Sequence, residues 1–363
     1  MQQVFFRLPF VDWPIFGYGL MLFLAFIACT WLAGRRGERV GIKKETIQDF
    51  AICMFIGGLV GARVFYFFAE LKRWPVSAWE FISIWEGGLV FYGGVVGALV
   101  AYALLYFISL RKKGISTLKL ADVVAPSLAV GLALGRMGCF LNGCCYGQVA
   151  CADCPVYAVH FPLSAPARYA LVDAGVQTAA GFTVDEAYRD PGVRVDKVDP
   201  ASAIFAAGLR SGDIIEEADG MKITEAKDLT KYLGDFKKWP QGKTDLTLKV
   251  KDKENQEKTF TAYPRTVGLH PAQLYETISM LIVLLLLLAY EPFKTRDGQV
   301  MVLMMLTYAI HRYVNELLRD DPRPVGFESY ASVFLFGAGV VLALLLWFRP
   351  AQYKPSWTVP EPA

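Results

Sequence analysis

Histidine is scarce in this chain, with three among 363 residues: His160, His270 and His311. No HExxH, GxSG or GxGD segment occurs, which removes the catalytic parts of the membrane-embedded proteases from consideration. Charge is also scarce over long stretches. The chain is 54% hydrophobic, its mean hydropathy is +0.35, and most charges fall in residues 183 to 260 or in short loops. That balance excludes an ordinary soluble protein. A basic n-region is missing from the start, and the first apolar stretch runs into Arg35 and Arg36, so a cleavable signal peptide is not expected.

What is present is a series of spans of about 20 apolar residues, each long enough to cross a bilayer. Seven are predicted: 15 to 34, 49 to 70, 88 to 110, 121 to 141, 272 to 290, 298 to 318 and 329 to 348. Basic residues crowd the first loop (Arg35, Arg36, Arg39, Lys43, Lys44), the third (Arg111, Lys112, Lys113, Lys119) and the fifth (Lys294, Arg296). By the positive-inside rule these loops are cytoplasmic. The N-terminus is then outside, the C-terminus cytoplasmic, and the long fourth loop outside. The expected fold is a polytopic α-helical membrane protein with a small inserted α/β domain.

Residues 181 to 264 switch to short alternating segments, VRVDKV and TDLTLKV, with glycine turns and an amphipathic EAKDLTKYLGDF. The run GVRVDKVDPASAIFAAGLRSGDIIEEADGMKI with that helix resembles a PDZ domain. The resemblance implies capture of a peptide or C-terminus on a sheet edge, at a loop beginning near Gly181-Phe182-Thr183-Val184. The plainer reading is a spacer without a peptide partner. The predicted organisation is 1–155 for four spans and a signature turn, 156–180 for a connecting arm, 181–265 for the PDZ-like domain, 266–350 for three further spans and 351–363 for a tail.

Charges inside a span cost several kcal/mol unless they face a partner or water, so each marks a candidate site. Arg63, Arg136, Arg312, Glu276 and Glu316 qualify. The alternating directions of the spans bring these to one level near the outer surface, together with Tyr18, Tyr92, Gln273 and Tyr275. Arg312 falls on the order of 9 Å below that surface at the helical rise. Tyr308, Arg312, Glu316 and Arg319 form one polar stripe. Arginine suits a phosphate, and several at glycerol depth point to a phospholipid headgroup; a simple Arg312–Glu316 helix pin is the alternative. The glycines of GGLVG (57–61), GGVVG (93–97) and GLALG (131–135) allow close helix packing or room for a lipid.

WEGGLVFYGG (85–94), GRMGCFLNGCCYG (135–147), HPAQLYE (270–276) and YAIHRYVNELLR (308–319) together resemble the ordered blocks of bacterial prolipoprotein diacylglyceryl transferases. The resemblance implies a multi-pass enzyme of the bacterial inner membrane with its PDZ-like insert in the periplasm. It would move a diacylglyceryl group from phosphatidylglycerol to the lipobox cysteine thiol of a prolipoprotein, releasing glycerol phosphate, with no cofactor and no metal. By this likeness Arg136 and Arg312 are catalytic. Tyr18, Arg63, Asn142, Gly147, Gln273, Tyr275, Glu276, Tyr308 and Glu316 hold substrate.

Four positions, in three places, depart from the family pattern. Tyr92 stands where the family has the histidine treated as its base, and tyrosine is a poor base at neutral pH. Cys139 replaces an asparagine, and Cys144-Cys145 replace an acidic and a hydrophobic residue. His270 is a substitute base or a structural hydrogen-bonding group. Clustered arginines could also acidify the substrate thiol unaided. A paralogue with another acceptor, or a non-catalytic lipid-binding adaptor whose PDZ-like domain recruits exported proteins, are the competing functions.

Five of the seven cysteines, Cys139, Cys144, Cys145, Cys151 and Cys154, fall within a short stretch on the outer side. Disulfides among Cys144, Cys145, Cys151 and Cys154 are the leading expectation in an oxidising compartment. Zinc on the CxxC with Cys144 or Cys145, and a reactive carrier thiol, remain open. Cys29 and Cys53 are expected in the helical core.

Overall fold

The computed structural model describes residues 3–9, 12, 14–70, 77–83, 88, 90–151, 158–234, 242–319 and 327–353. A hairpin of β1 (Val4–Arg7) and β2 (Pro14–Phe16) leads into α1 (Gly17–Arg39) and α2 (Lys44–Phe65), which ends in a π-helical turn, Tyr66–Glu70. Then come α3 (Ala78–Ile82), α4 (Phe91–Leu105) with a π-helical end at Tyr106–Leu110, α5 (Thr117–Asn142) and α6 (Pro166–Asp173). The insert holds β3 (Phe182–Val184), β4 (Val193–Val198), α7 (Ala203–Ala207), β5 (Ile214–Ala218), β6 (Met221–Lys222), α8 (Ala226–Gly234), β7 (Leu246–Lys251) and β8 (Glu257–Ala262). Three long helices close the chain, α9 (Ala272–Tyr290), α10 (Gln299–Leu318) and α11 (Phe327–Trp347).

Among the described residues, six helical segments are long and apolar enough to cross a membrane: Gly17–Arg39, Lys44–Phe68, Tyr92–Leu110, Thr117–Asn142, Ala272–Phe293 and Tyr330–Trp347. The predicted sixth span is a continuous helix, α10, but it carries His311, Arg312, Asn315 and Glu316 and is not among them. The first span does not stop at Arg35 and Arg36 as the sequence suggests. The helix continues to Arg39 because Arg36, only 4% exposed, donates to the carbonyls of Val123 and Asp122, each at 3.1 Å, and pairs with Glu291.

The chain forms two compact units. One comprises residues 25–131, 281–308 and 335–363. Here α2 and α4 pack main chain against main chain, since a Cβ at Gly61 or Gly97 would strike the other helix's backbone. The paired glycines of 57–61 and 93–97 thus serve close packing, not a gap for lipid. Asp122 caps α10, its Oδ2 accepting from the Gly298 amide at 2.8 Å and its Oδ1 from Met301 at 3.0 Å.

The other unit comprises residues 1–24, 132–280 and 309–334. Its sheet runs in the order β3-β4-β5-β7-β8, antiparallel throughout, with the short β6 beside β5. The alternation read from VRVDKV and TDLTLKV is realised: Val193, Val195, Leu246, Leu248 and Val250 point into a core that Leu229 and Leu233 of α8 complete. Arg168 joins the connecting arm to this domain. It is 1% exposed and donates to the carbonyls of Leu163 (2.5 Å), Ala179 (2.7 Å) and Leu233 (2.9 Å).

Candidate active site

The signature turn starts where α5 ends at Asn142. Gly143 follows in the left-handed region at φ 75°, and both its amide (2.9 Å) and that of Cys144 (3.1 Å) return to the Cys139 carbonyl, a glycine-closed helix terminus. Cys145 is itself left-handed at φ 59°, which few non-glycine residues adopt. These two reversals fold Cys144 and Cys145 back over the helix end. The thiols of Cys139, Cys144 and Cys145 consequently lie within 4.8 Å of one another.

All three thiols are free, so the expected disulfides do not involve Cys144 or Cys145. The turn folds them onto Cys139 instead. Cys151 is disulfide-bonded, and Cys154 lies outside the described residues. Cys29 and Cys53 are free and lie in α1 and α2, but they are only partly buried and do not join the core expected of them. Hydrogen bonds from Cys139 and Cys144, then the charges of Arg319 and Arg136, push the Cys145 thiol well below its ordinary pKa against the effect of burial.

Beside the turn, Arg136 forms an ion pair with Glu276 of α9. Glu276 is 2% exposed, and Arg319 reaches its other oxygen at 3.9 Å. Arg312 pairs with Glu316 one turn along α10 at 3.1 Å. Gln273, fully buried, donates from Nε2 to the Cys144 carbonyl at 2.7 Å, while its Oε1 has no hydrogen-bond partner among the described residues. Tyr18, at the start of α1, lies within electrostatic range of Arg136 and the three thiols. It packs on Gly138, where a Cβ would come 3.0 Å from the tyrosine ring.

Gly147 is required by backbone approach. Its amide donates to the His270 carbonyl at 2.9 Å, the next amide donates to the Leu318 carbonyl at 3.2 Å, and Gly147 bridges to Arg319. A Cβ here would lie 2.8 Å from the His270 oxygen and 3.0 Å from that of Leu318. The three blocks 135–147, 270–276 and 308–319 are thereby tied together.

The structure thus brings Tyr18, Arg136, Asn142, Gly147, Gln273, Glu276 and Arg319 into one unit, with Arg312, Glu316 and Tyr308 on or near the same stretch of α10. Tyr308 falls at the boundary of the other unit. His270 Nδ1 contacts the Tyr275 hydroxyl at 3.3 Å, so both rings are held by each other at the entry to α9. Arg63 and Tyr92 belong to the other unit. Arg63, 4% exposed, donates to the carbonyls of Glu80 (2.6 Å), Phe81 (3.2 Å), Ser83 (3.1 Å) and Gly88 (3.1 Å). That geometry ties residues 80–83 and Gly88 to α2 and leaves the guanidinium little for a lipid phosphate. Tyr92 is 40% exposed in the first turn of α4.

Two residues gain importance: Arg319, read from the sequence only as the end of a polar stripe, and His311, to which no role is read from the sequence. Arg319 lies just beyond α10 and yet is 4% exposed against Glu276. His311 meets Ser279 Oγ at 2.9 Å through Nδ1 and lies 2.9 Å from Asn315 Nδ2, forming a polar link between α9 and α10. Its neighbour Arg312 was the visible signal in that stretch.

Residues 3–347 match the family described as prolipoprotein diacylglyceryl transferase. Among similar proteins is a phosphatidylglycerol–prolipoprotein diacylglyceryl transferase of Rhodopirellula baltica, 36% identical over 209 residues, covering 55% of this chain and 41% of the relative. Proteins of the same name from Bacillus cereus (34% over 135 residues, 37% of this chain and 48% of the relative) and Clostridium tetani (34% over 148 residues, 41% and 57%) are also similar. The alignments span about half the length of these relatives. Matched from end to end of its helical part, the chain belongs to the prolipoprotein diacylglyceryl transferase family.

Proposed function

We propose that this protein transfers a diacylglyceryl group from phosphatidylglycerol to the lipobox cysteine thiol of a prolipoprotein. The observation that carries the reading is the cluster of Arg136, Arg319 and Arg312 around the buried Glu276. Attack by sulfur on the glyceryl carbon breaks a carbon–oxygen bond and leaves glycerol phosphate with a growing negative charge. Fixed guanidinium groups stabilise that charge where it develops, which is worth about 10²–10³-fold per preorganised donor in comparable sites. Glu276 holds Arg136 and Arg319 in position, and Glu316 holds Arg312, so they are oriented before the substrate arrives.

Six apolar helices make the chain a multi-pass membrane protein. We further assign α10 as a seventh crossing, with the N-terminus outside, the C-terminus cytoplasmic and the sheet of residues 181–265 in the periplasm of the bacterial inner membrane. The sheet is read as PDZ-like. Its strand β3 lies at the end of the strand order, paired among the described residues with β4 alone, and such an edge suits addition of a peptide strand.

The test is transfer of radiolabelled diacylglyceryl from phosphatidylglycerol to a lipobox peptide by the purified full-length protein. Thioether product that disappears in Arg312→Ala supports the reading. No product from the wild type, but product from Tyr92→His, would mean a kept scaffold with a changed acceptor. Absence of product from both would favour the non-catalytic adaptor.

A further inference from the structure

Resting on the transferase reading, we infer that Cys139, Cys144 and Cys145 form a three-thiolate zinc site whose open fourth position takes the sulfur of the acceptor cysteine. Zinc binds thiolates at about 2.3 Å and prefers a tetrahedron, which places the sulfurs about 3.8 Å apart. The three Sγ atoms already lie within 4.8 Å of one another, so closing on the ion needs only small side-chain adjustments. They are brought there by the strained left-handed backbone of Cys145 and the glycine-closed end of α5. Thiolates are soft ligands and select zinc or copper(I) over hard cations. Three protein ligands leave zinc one vacancy, the arrangement of its catalytic sites.

The surroundings fit both charge and substrate. Three thiolates on Zn²⁺ leave one net negative charge, and Arg136 and Arg319 lie within electrostatic range of Cys145. Gln273, fully buried, holds the Cys144 carbonyl with its amide nitrogen and so fixes the turn that carries the thiols. The chemistry also answers the missing base. A thiol entering the vacancy gives its proton to water and is held as a thiolate, so Tyr92 has no proton to take. The bound sulfur attacks the glyceryl carbon and forms the carbon–sulfur bond. The carbon–oxygen bond to phosphate breaks, and glycerol phosphate leaves with the electron pair. The neutral thioether then dissociates from the metal. A covalent relay through Cys145 itself does not work, because a thioether carbon is not released to a second thiol under these conditions.

The test loads the purified full-length protein with Zn²⁺ or Co²⁺, counts metal per chain and records the cobalt spectrum. The expected result is one ion per chain, with strong sulfur-to-cobalt charge-transfer bands and the visible bands of a tetrahedral site. Occupancy falls at least tenfold in Cys139→Ser, Cys144→Ser and Cys145→Ser but not in Cys29→Ser. The wild-type spectrum counts thiolate ligands even if a serine variant does not fold. A lipobox peptide shifts the visible bands, and its cysteine-to-serine counterpart does not. Substoichiometric metal, unchanged occupancy in the serine variants, or binding of copper(I) with exclusion of zinc would overturn the site. A chelated protein that transfers diacylglyceryl at an undiminished rate would overturn its role while leaving the transferase reading intact. If neither loaded nor stripped protein transfers, the transferase reading fails, and the peptide-induced cobalt shift still decides the site.

Discussion

Arg136 and Glu276 are ion-paired across α5 and α9, with the carboxylate almost completely enclosed and its second oxygen facing Arg319 at 3.9 Å. Removing one member of such a buried pair leaves an uncompensated charge, at a cost of roughly 3–5 kcal/mol. Glu276→Gln is therefore expected to lower both thermal stability and transfer, the latter by about 10²-fold or more. Arg136→Lys keeps the charge but loses the planar fork, and it should lose most transfer with a smaller change in melting temperature. Full activity in Arg136→Lys would show that a point charge suffices.

Gly147→Ala places a methyl group between two carbonyl oxygens of separate chain segments, which have little freedom to retreat. The expected loss is about 1–3 kcal/mol, read as a lowered unfolding midpoint in detergent together with reduced transfer. Gly135→Ala is the matched control: nothing lies within 4 Å of its added Cβ, so its midpoint should stay put. Equal midpoints for the two variants would contradict the close approach at Gly147.

Arg63→Ala separates scaffold from lipid contact. Its guanidinium serves four carbonyls between residues 80 and 88, so the variant should unfold at lower temperature while its KM for phosphatidylglycerol stays near the wild-type value. A raised KM at an unchanged midpoint would return Arg63 to the lipid site.

Arg168→Ala should loosen the inserted sheet without touching the helices. Three carbonyls, two of them buried, lose a charged donor, each buried one costing about 1–3 kcal/mol if left unsatisfied. Limited proteolysis should cut the insert faster, with transfer to a short lipobox peptide retained. Wild-type protease resistance would count against the clamp.

Much of this arrangement was legible in the residues. Intramembrane charges flagged Arg136, Arg312 and Glu276 because a bilayer penalises charge, and alternating valines and leucines disclosed β4 and β7. Arg63 was flagged for the same physical reason, but a buried arginine can be satisfied by main-chain carbonyls as well as by phosphate, and spacing does not distinguish them. The three-thiol cluster was hidden because it depends on two left-handed residues, Gly143 and Cys145, of which only the glycine advertises such a backbone. Arg319 was underrated since it follows the helix, where a charge is ordinarily solvated.

The inserted sheet separates the two halves of the site along the chain. Arg136 and the cysteine turn precede residues 181–265, while Glu276 and the α10 residues follow them. During synthesis the ribosome delivers the arginine first and its counter-charge only after the whole soluble domain has been made. Arg136 thus enters the bilayer without Glu276, and the ion pair between α5 and α9 can form only after the inserted sheet has been made.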